Sequence, residues 1–537
     1  MKQATTLLSL LLALLLVGCS GSRPATTSAP SAPDTTTASS ADRTEPPSTD
    51  AADEESTPAP APSAAPQDWF HLDQVPRSGP GLDTRAAYRS VLNGRAPRDT
   101  VRVAILDSGV DIDHEDLAGA AWTNADEVPN NGVDDDNNGY VDDVHGWNFI
   151  GGPDGQNVNQ DTYELTRIFV DLRERFRGVD SAAVAPEDRP QYQRYQEIKR
   201  TFREKRQQAQ KRLRRVKQAQ TAVETSVQVL KNHLQADTLT QASVRGVSSP
   251  NQDVRRAKKT LQYFYDQGLT PSDLRTYRDQ LQRQVEYNYN PDFNPRPVVG
   301  DDYPDKAERY YGNNDVTGPD ASHGTHVAGI VGASRANEIG IDGIARGVRL
   351  MSVRTVPNGD ERDKDVANAI RYAVENGADV INISIYSTLL PPNSVHRAIK
   401  EARRKNVLVV GITGNGGSEV DFFGQWEEVL TIGAVDQQRK VWNYSNHGSE
   451  VDLVGPGVNI SSLVPGGKIV KKSGTSFAAA HVTGVASLVI SAHPGVSAAE
   501  LSSLLKKSAT DLLSPGYDPQ TGYGLVNAKK AMDLLDN

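Results

Sequence analysis

The chain has one cysteine, Cys19, in 537 residues, which excludes an intramolecular disulfide and any cysteine-built metal site. Apolar residues are also scarce. At 37% hydrophobic, part of the length has to be tether or solvated helix rather than core. Basic charge is in deficit, and a formal net charge of −10 excludes a general nucleic-acid binder, since neutralising phosphates takes a basic footprint. A local basic patch is not excluded. The length itself exceeds one average domain and suggests about two or three folded units.

What is present starts at the amino end. Lys2 precedes the apolar run "LLSLLLALLLVG", which is too short to span a bilayer comfortably. It closes on "LVGC", Leu16 to Cys19, which resembles a bacterial lipobox. The resemblance implies cleavage before Cys19 and lipid on its amine and thiol, tethering the mature chain to a membrane without a spanning helix. The alternative is an ordinary secretory signal or an uncleaved anchor. Residues 1–18 are thus expected to be a lipoprotein signal peptide, and the location extracytoplasmic, in a bacterial cell envelope. Residues 19–66 are Ser, Thr, Pro, Ala and acid, with almost nothing to bury, and are expected to be a disordered tether.

From there on, apolar β-branched runs alternate with helical patterns. "VRVAIL" (101–106), "VRLMSVRTV" (348–356), "ADVINISI" (378–385), "NVLVVGI" (406–412) and "EVLTIGAV" (428–435) read as buried parallel strands. "KDVANAIRYAVENG" (364–377) and "NSVHRAIKEARRKN" (393–406) read as helices between them. The fold class expected is α/β, a parallel sheet flanked by helices, built from residues 67–160 and 290–537. Residues 161–289 interrupt it with Arg, Lys, Gln and Glu and no convincing strand. Within them Ala209, Val216, Val223 and Leu230 recur in heptad register with Leu213, Val227 and Leu234, which predicts a helical hairpin or coiled coil. A further helix is expected to start at Pro271. The run "KRTFREKRQQAQKRLRRVKQAQ" is strongly basic; such a run is most often a solvated face, the alternative being a site for a partner or anionic lipid. The insertion supplies no candidate for the chemistry and is expected to be an independent arm; the alternative is that it borders the cleft and completes its wall.

The stretch "KSGTSFAAAHVTG" (472–484) puts Ser476 among small residues where a helical pattern begins. Small residues in a row also serve close helix packing. Nucleophilic serine chemistry needs two further groups, a base and its orienter. Asp107 in "VAILDSGVD" closes the first strand, at the edge where α/β sites lie. His323 in "DASHGTHVAG" opens a small-residue helix, and a helix start at Ser476 aims backbone N–H groups at a developing oxyanion. The three motifs, in the order Asp, His, Ser, resemble the subtilisin-like serine proteases (subtilases). An α/β-hydrolase would run in a different order, and "GTSFA" lacks its second glycine.

The resemblance implies the subtilisin-like fold and a serine endopeptidase acting on protein or peptide substrates. It implies Asp107 as orienter, His323 as general base, Ser476 as nucleophile and Asn415 in "ITGNGG" as oxyanion-hole donor, with no cofactor required for the chemistry. His326 and His481 are expected to be structural. Two departures stand out: Tyr386 in "ISIYS", where the family has little bulk, and Ala480, where a proline is common. They leave a rival reading, a weak or inactive subtilase-fold scaffold that binds partners through the insertion.

Between Asp107 and His323 lies "DDDNNGYVDD" (134–143), which spaces Asp134, Asp136, Asn138 and Asp142 around Gly139 as a Ca2+ loop begins. The closing Glu is missing, with His145 in its place. So many carboxylates would repel one another without a cation, so structural Ca2+ is expected; the alternative is a solvated turn.

Overall fold

The structure, a computed structural model, describes residues 68–73, 81–92, 100–385, 393–420 and 423–536. The signal segment, the tether, Cys19 and Tyr386 lie outside these residues. The strands β1 (Val101–Asp107), β2 (Gly146–Asn148), β3 (Val348–Arg354), β4 (Val380–Ile383), β5 (Leu408–Ile412), β6 (Val429–Val435) and β7 (Leu453–Pro456) form one sheet. Its order is β2-β3-β1-β4-β5-β6-β7, parallel throughout. A separate antiparallel hairpin joins β8 (Ile460–Val464) to β9 (Lys468–Lys472). A sheet covered on both faces needs strands apolar on both sides. Accordingly β1 buries every residue except Arg102, and β4, β5 and β6 bury all of theirs.

The insertion is helical, with α1 (Glu164–Phe176), α2 (Arg189–Leu234), α3 (Gln241–Gly246), α4 (Gln252–Asp266) and α5 (Pro271–Arg283). Pro271 stands at the first position of α5, where its missing N–H costs nothing, and Thr270 and Asp273 close a capping box around it. Along α2 the expected positions Ala209, Leu213, Val216, Val223 and Leu230 are buried. Val227 and Leu234 are only half-buried, and Ala219 and Ser226 take the second row instead. Contacts divide the described residues into two compact units: Ala222–Gly268, and everything described before and after it.

Beyond the insertion come α6 (Ser322–Gly332), α7 (Asp363–Glu375), α8 (Asn393–Arg404), α9 (Thr475–Ala492), α10 (Ala498–Ser508) and α11 (Ala528–Asp536). The helix α8 buries Val395, Ala398, Ile399 and Ala402, spaced i, i+3, i+4 and i+7, and leaves its charged face in water. Asn406, past its end, takes the left-handed conformation (φ 64°) that terminates helices. The helix α9 is apolar enough to cross a membrane by composition, yet 94% of it is buried, as befits a central core helix.

Candidate active site

The first element of the site is the carboxyl end of β1. Asp107 is its last residue and is 2% exposed. Its carboxylate accepts from the Ser108 N–H at 2.7 Å and from His323 Nδ1, 2.8 Å to Oδ1 and 2.9 Å to Oδ2. A ring donating through Nδ1 keeps the Nε2 lone pair for a proton from elsewhere. The glycines of both motifs let these chains touch. A Cβ on Gly324 would lie 2.1 Å from the Gly109 carbonyl, and one on Gly109, at φ +115°, would lie 2.2 Å from the Thr317 carbonyl. With any other residue there, α6 could not bring His323 down onto Asp107.

The second element is the start of α9. Ser476 is its second residue, and the ring of the next residue, Phe477, lies 5.4 Å from the His323 ring, centroid to centroid. Small residues are needed for packing here too. A Cβ on Gly455 would fall 2.7 Å from the Ala478 carbonyl, and one on Gly484 2.5 Å from the Ile344 side chain. The packing reading of this stretch therefore holds, and it leaves Ser476 at the start of the helix. The first N–H groups of a helix have no acceptor within it. That of Thr475 donates to Asn415 Oδ1 at 2.9 Å, and the Thr475 hydroxyl donates to the same oxygen at 3.0 Å. Two donors on Oδ1 fix which way the Asn415 amide faces and leave its Nδ2–H2 group as the available donor. Asn415 follows β5, so it shares the carboxyl edge of the sheet with Asp107.

Sequence reasoning passed over Lys472. At the end of β9, its ammonium donates to the Ser322 carbonyl at 2.8 Å and the Ser322 hydroxyl at 2.9 Å, one residue before His323. Burial draws its pKa below the usual lysine range, while Asp107 and Asp320 oppose this. His326 and His481 are fully buried, and burial pulls both down to about 3, so they are neutral. Each ring faces a backbone carbonyl, Val470 at 3.3 Å and Phe477 at 2.7 Å.

The insertion is rooted in contacts beside the Asp107–His323 pair. Thr355 and Val356, just past β3, donate N–H groups to the Asp107 carbonyl at 2.9 and 3.2 Å. The same loop reaches Asp320, ahead of α6, through Asn358 Nδ2 at 3.3 Å. Arg167 of α1 donates to the carbonyls of Asp360 and Glu361 at 3.0 and 2.8 Å. Asn288 donates to those of Asp161 and Asn358 at 2.8 and 3.0 Å. The insertion thus satisfies the backbone of a loop that starts beside the Asp107–His323 pair. These contacts are long-range, and no local pattern encodes them.

In the acidic loop, Asp134 and Asp136 come together, but with Glu127 as third member: one oxygen of each lies within 4.8 Å of the others. Glu127 is 6% exposed; its Oε1 accepts from the Asp135 N–H at 2.9 Å, and its Oε2 is buried with no hydrogen-bond partner. A buried carboxylate oxygen without a partner is costly, and a bound cation would satisfy it. All four expected ligands also serve the turn: Asp134 accepts from the N–H groups of Asn138 and Gly139, and Asp136 from that of Asn138. Asp142 accepts from the N–H groups of Asn131 and Gly132, and Asn138 Oδ1 accepts from that of Tyr140 at 2.8 Å. Three carboxylates and no nitrogen or sulfur donor suit a hard cation such as Ca2+.

A parallel α/β sheet with an Asp–His pair and a helix-borne serine at its carboxyl edge has the makings of a serine hydrolase. Comparison with known proteins narrows this. The profile of the Subtilase family matches residues 98–524, and the chain belongs to that family. It is 36% identical over 251 residues to the thermophilic serine proteinase of Bacillus sp. strain AK1, covering 46% of this chain and 59% of that protein. It is 35% identical over 224 residues to the thermostable alkaline protease of Halalkalibacterium halodurans, covering 41% and 59%. Against subtilisin BL of Lederbergia lenta it is 36% identical over 211 residues, covering 39% and 77%. The chain thus spans little more than half the length of the first two relatives.

Proposed function

We propose that the protein is a serine endopeptidase that cleaves peptide bonds through an acyl-enzyme on Ser476. The observation that carries this is the bidentate contact of His323 Nδ1 with the buried Asp107 carboxylate, directly beside the first turn of α9. In the proposed reaction His323 Nε2 takes the Ser476 Oγ proton as Oγ attacks the scissile carbonyl. Asn415 Nδ2 and the Ser476 N–H stabilise the oxyanion, and the proton passes to the departing amine. Water, deprotonated by the same His323, then hydrolyses the ester and frees Ser476. The test is labelling by a fluorophosphonate together with casein or peptide hydrolysis. Both should be present in the wild type and absent from a folded Ser476→Ala variant; undiminished hydrolysis by that variant overturns the assignment.

The proposed organisation is a signal peptide at 1–18, a tether at 19–66, a peptidase domain of residues 67–160 and 290–537, and a helical insertion at 161–289. Lipid on Cys19 would hold the enzyme at a membrane of the bacterial envelope, facing protein or peptide substrates outside the cytoplasm. Mass spectrometry of the mature amino terminus tests this, and an unmodified Cys19 refutes it. Glu127, Asp134 and Asp136 are the proposed carboxylate ligands of a structural Ca2+ that takes no part in the chemistry.

A further inference from the structure

The charge of the chain is acidic overall, yet one face of the peptidase domain reverses it. Lys306, Arg371, Arg397, Lys400, Arg403 and Arg404 line an open concavity of about 870 Å3 across α7 and α8. Only Glu401 and Glu428 oppose them there, and the Glu428 carboxylate is already engaged by His396 Nε2 at 3.1 Å. Nearby, Arg309 pairs with Glu375; among the described residues, none of the six groove cations has such an ion pair. Arg371 has its pKa lowered first by burial and next by the Arg309 guanidinium, with Arg397 acting the same way and Glu401 and Glu375 opposing. A groove lined by six cations and two carboxylates carries a net positive charge and favours a polyanionic occupant.

Its position narrows the choice. The helix α8 ends at Arg404, and β5 starts at Leu408, so Arg403 and Arg404 sit at the amino edge of the parallel sheet. Asp107 ends β1 and Asn415 follows β5, so the catalytic groups lie at the opposite edge. A flat anionic surface seated on the groove would leave the cleft open to solvent on the far side.

We propose that this groove docks onto the phosphate-bearing headgroups of an anionic membrane leaflet and turns the catalytic edge away from the bilayer. The proposal is separate from acylation of Cys19, which would give proximity but no orientation. Each Lys or Arg brought near an anionic leaflet strengthens binding by roughly fivefold, so reversing two of them should weaken it by at least about 30-fold.

The experiment uses the mature chain from residue 19 onward, carrying Cys19→Ser and Ser476→Ala, so that no signal segment, lipid anchor or self-digestion intervenes. Sedimentation with phosphatidylglycerol/phosphatidylcholine vesicles should capture it, and vesicles of phosphatidylcholine alone should not. Added Arg397→Glu and Arg403→Glu should abolish capture; Lys211→Glu and Arg214→Glu on the exposed face of α2 should not. If the double reversal unfolds the protein, Lys400→Gln with Arg404→Gln, which removes two charges without reversing them, gives the milder reading of about 30-fold. With Ser476 restored, either pair should leave hydrolysis of a small soluble peptide unchanged. Capture that survives the groove reversals, or is lost with the α2 pair instead, overturns the proposal. So does binding of inorganic polyphosphate or an acidic polypeptide without binding of the anionic vesicles.

Discussion

Replacing His481 by glutamine tests how the core of α9 depends on pH. The His481 ring is fully buried, packs 4.6 Å from the Phe70 ring, and has a folded-state pKa of about 3 because burial penalises the charged form. In the unfolded chain it titrates near 6.5. Below pH 6.5 the unfolded state binds a proton that the native state refuses, so this residue removes stability as the pH falls, until about pH 3. The loss is about 1.4 kcal/mol per pH unit, or about 2 kcal/mol at pH 5. A glutamine in its place does not titrate. The stability difference between wild type and His481→Gln should therefore shrink by about 2 kcal/mol between pH 7 and pH 5, whatever packing the substitution costs at pH 7. Chemical denaturation at several pH values measures this, and the two-protein comparison cancels His71 and His326, whose pKa values burial also lowers to about 3. It also cancels Asp143, raised to about 6 by burial, which works in the opposite sense. Curves that run parallel from pH 7 to pH 5 would refute the reasoning.

Asn415→Ala should lower kcat by about 10²–10³, the size known for a side-chain oxyanion donor of a subtilisin rather than one worked out from these distances; a change confined to KM would show that Asn415 only binds substrate. Removing Ca2+ with a chelator should lower Tm, by the equivalent of about 2.7 kcal/mol if the ion was present at a hundred times its Kd, and Glu127→Gln should abolish that response. A midpoint indifferent to chelation in both proteins would favour a solvated turn. Replacing Ala222–Gly268 by a short Gly/Ser linker should preserve hydrolysis of a small peptide ester, whereas Arg167→Met should impair it by loosening the loop after β3. Steady-state kinetics on the two variants checks this, and the reverse ranking would contradict it.

Much of this was legible in the sequence because it is local. The five apolar runs lie on β1, β3, β4, β5 and β6, since burial on both faces leaves an uninterrupted apolar signature. β2 has three residues, "GWN", too few for any pattern, and exists through pairing with β3. β9 reads "KIVKK" and is mostly exposed, so only its partner β8 defines it. The residues expected at the site were marked by motifs whose glycines have a steric reason, as Gly109 and Gly324 show. Glu127, Arg167 and Lys472 carried no such mark. Their roles arise from groups they meet only after folding, and in Glu127 the one readable signal was a carboxylate seven residues ahead of Asp134.

Asp107 and His323 are separated by 216 residues, so at ribosomal speeds of about 5–20 residues per second the acid would emerge on the order of ten seconds or more before its partner. In that interval the helical segment, rich in local contacts, has time to form first. Its ends meet where Asn288 donates to the Asp161 carbonyl, across 127 residues. Closing that span shortens the remaining separation of Asp107 from His323 to about 90 residues and lowers the entropic cost of joining them by about 0.8 kcal/mol. Ser476 follows later still, on a helix that cannot pack until the sheet beneath it is complete. The order of synthesis therefore delivers the proposed nucleophile only after the proposed acid and base have been made.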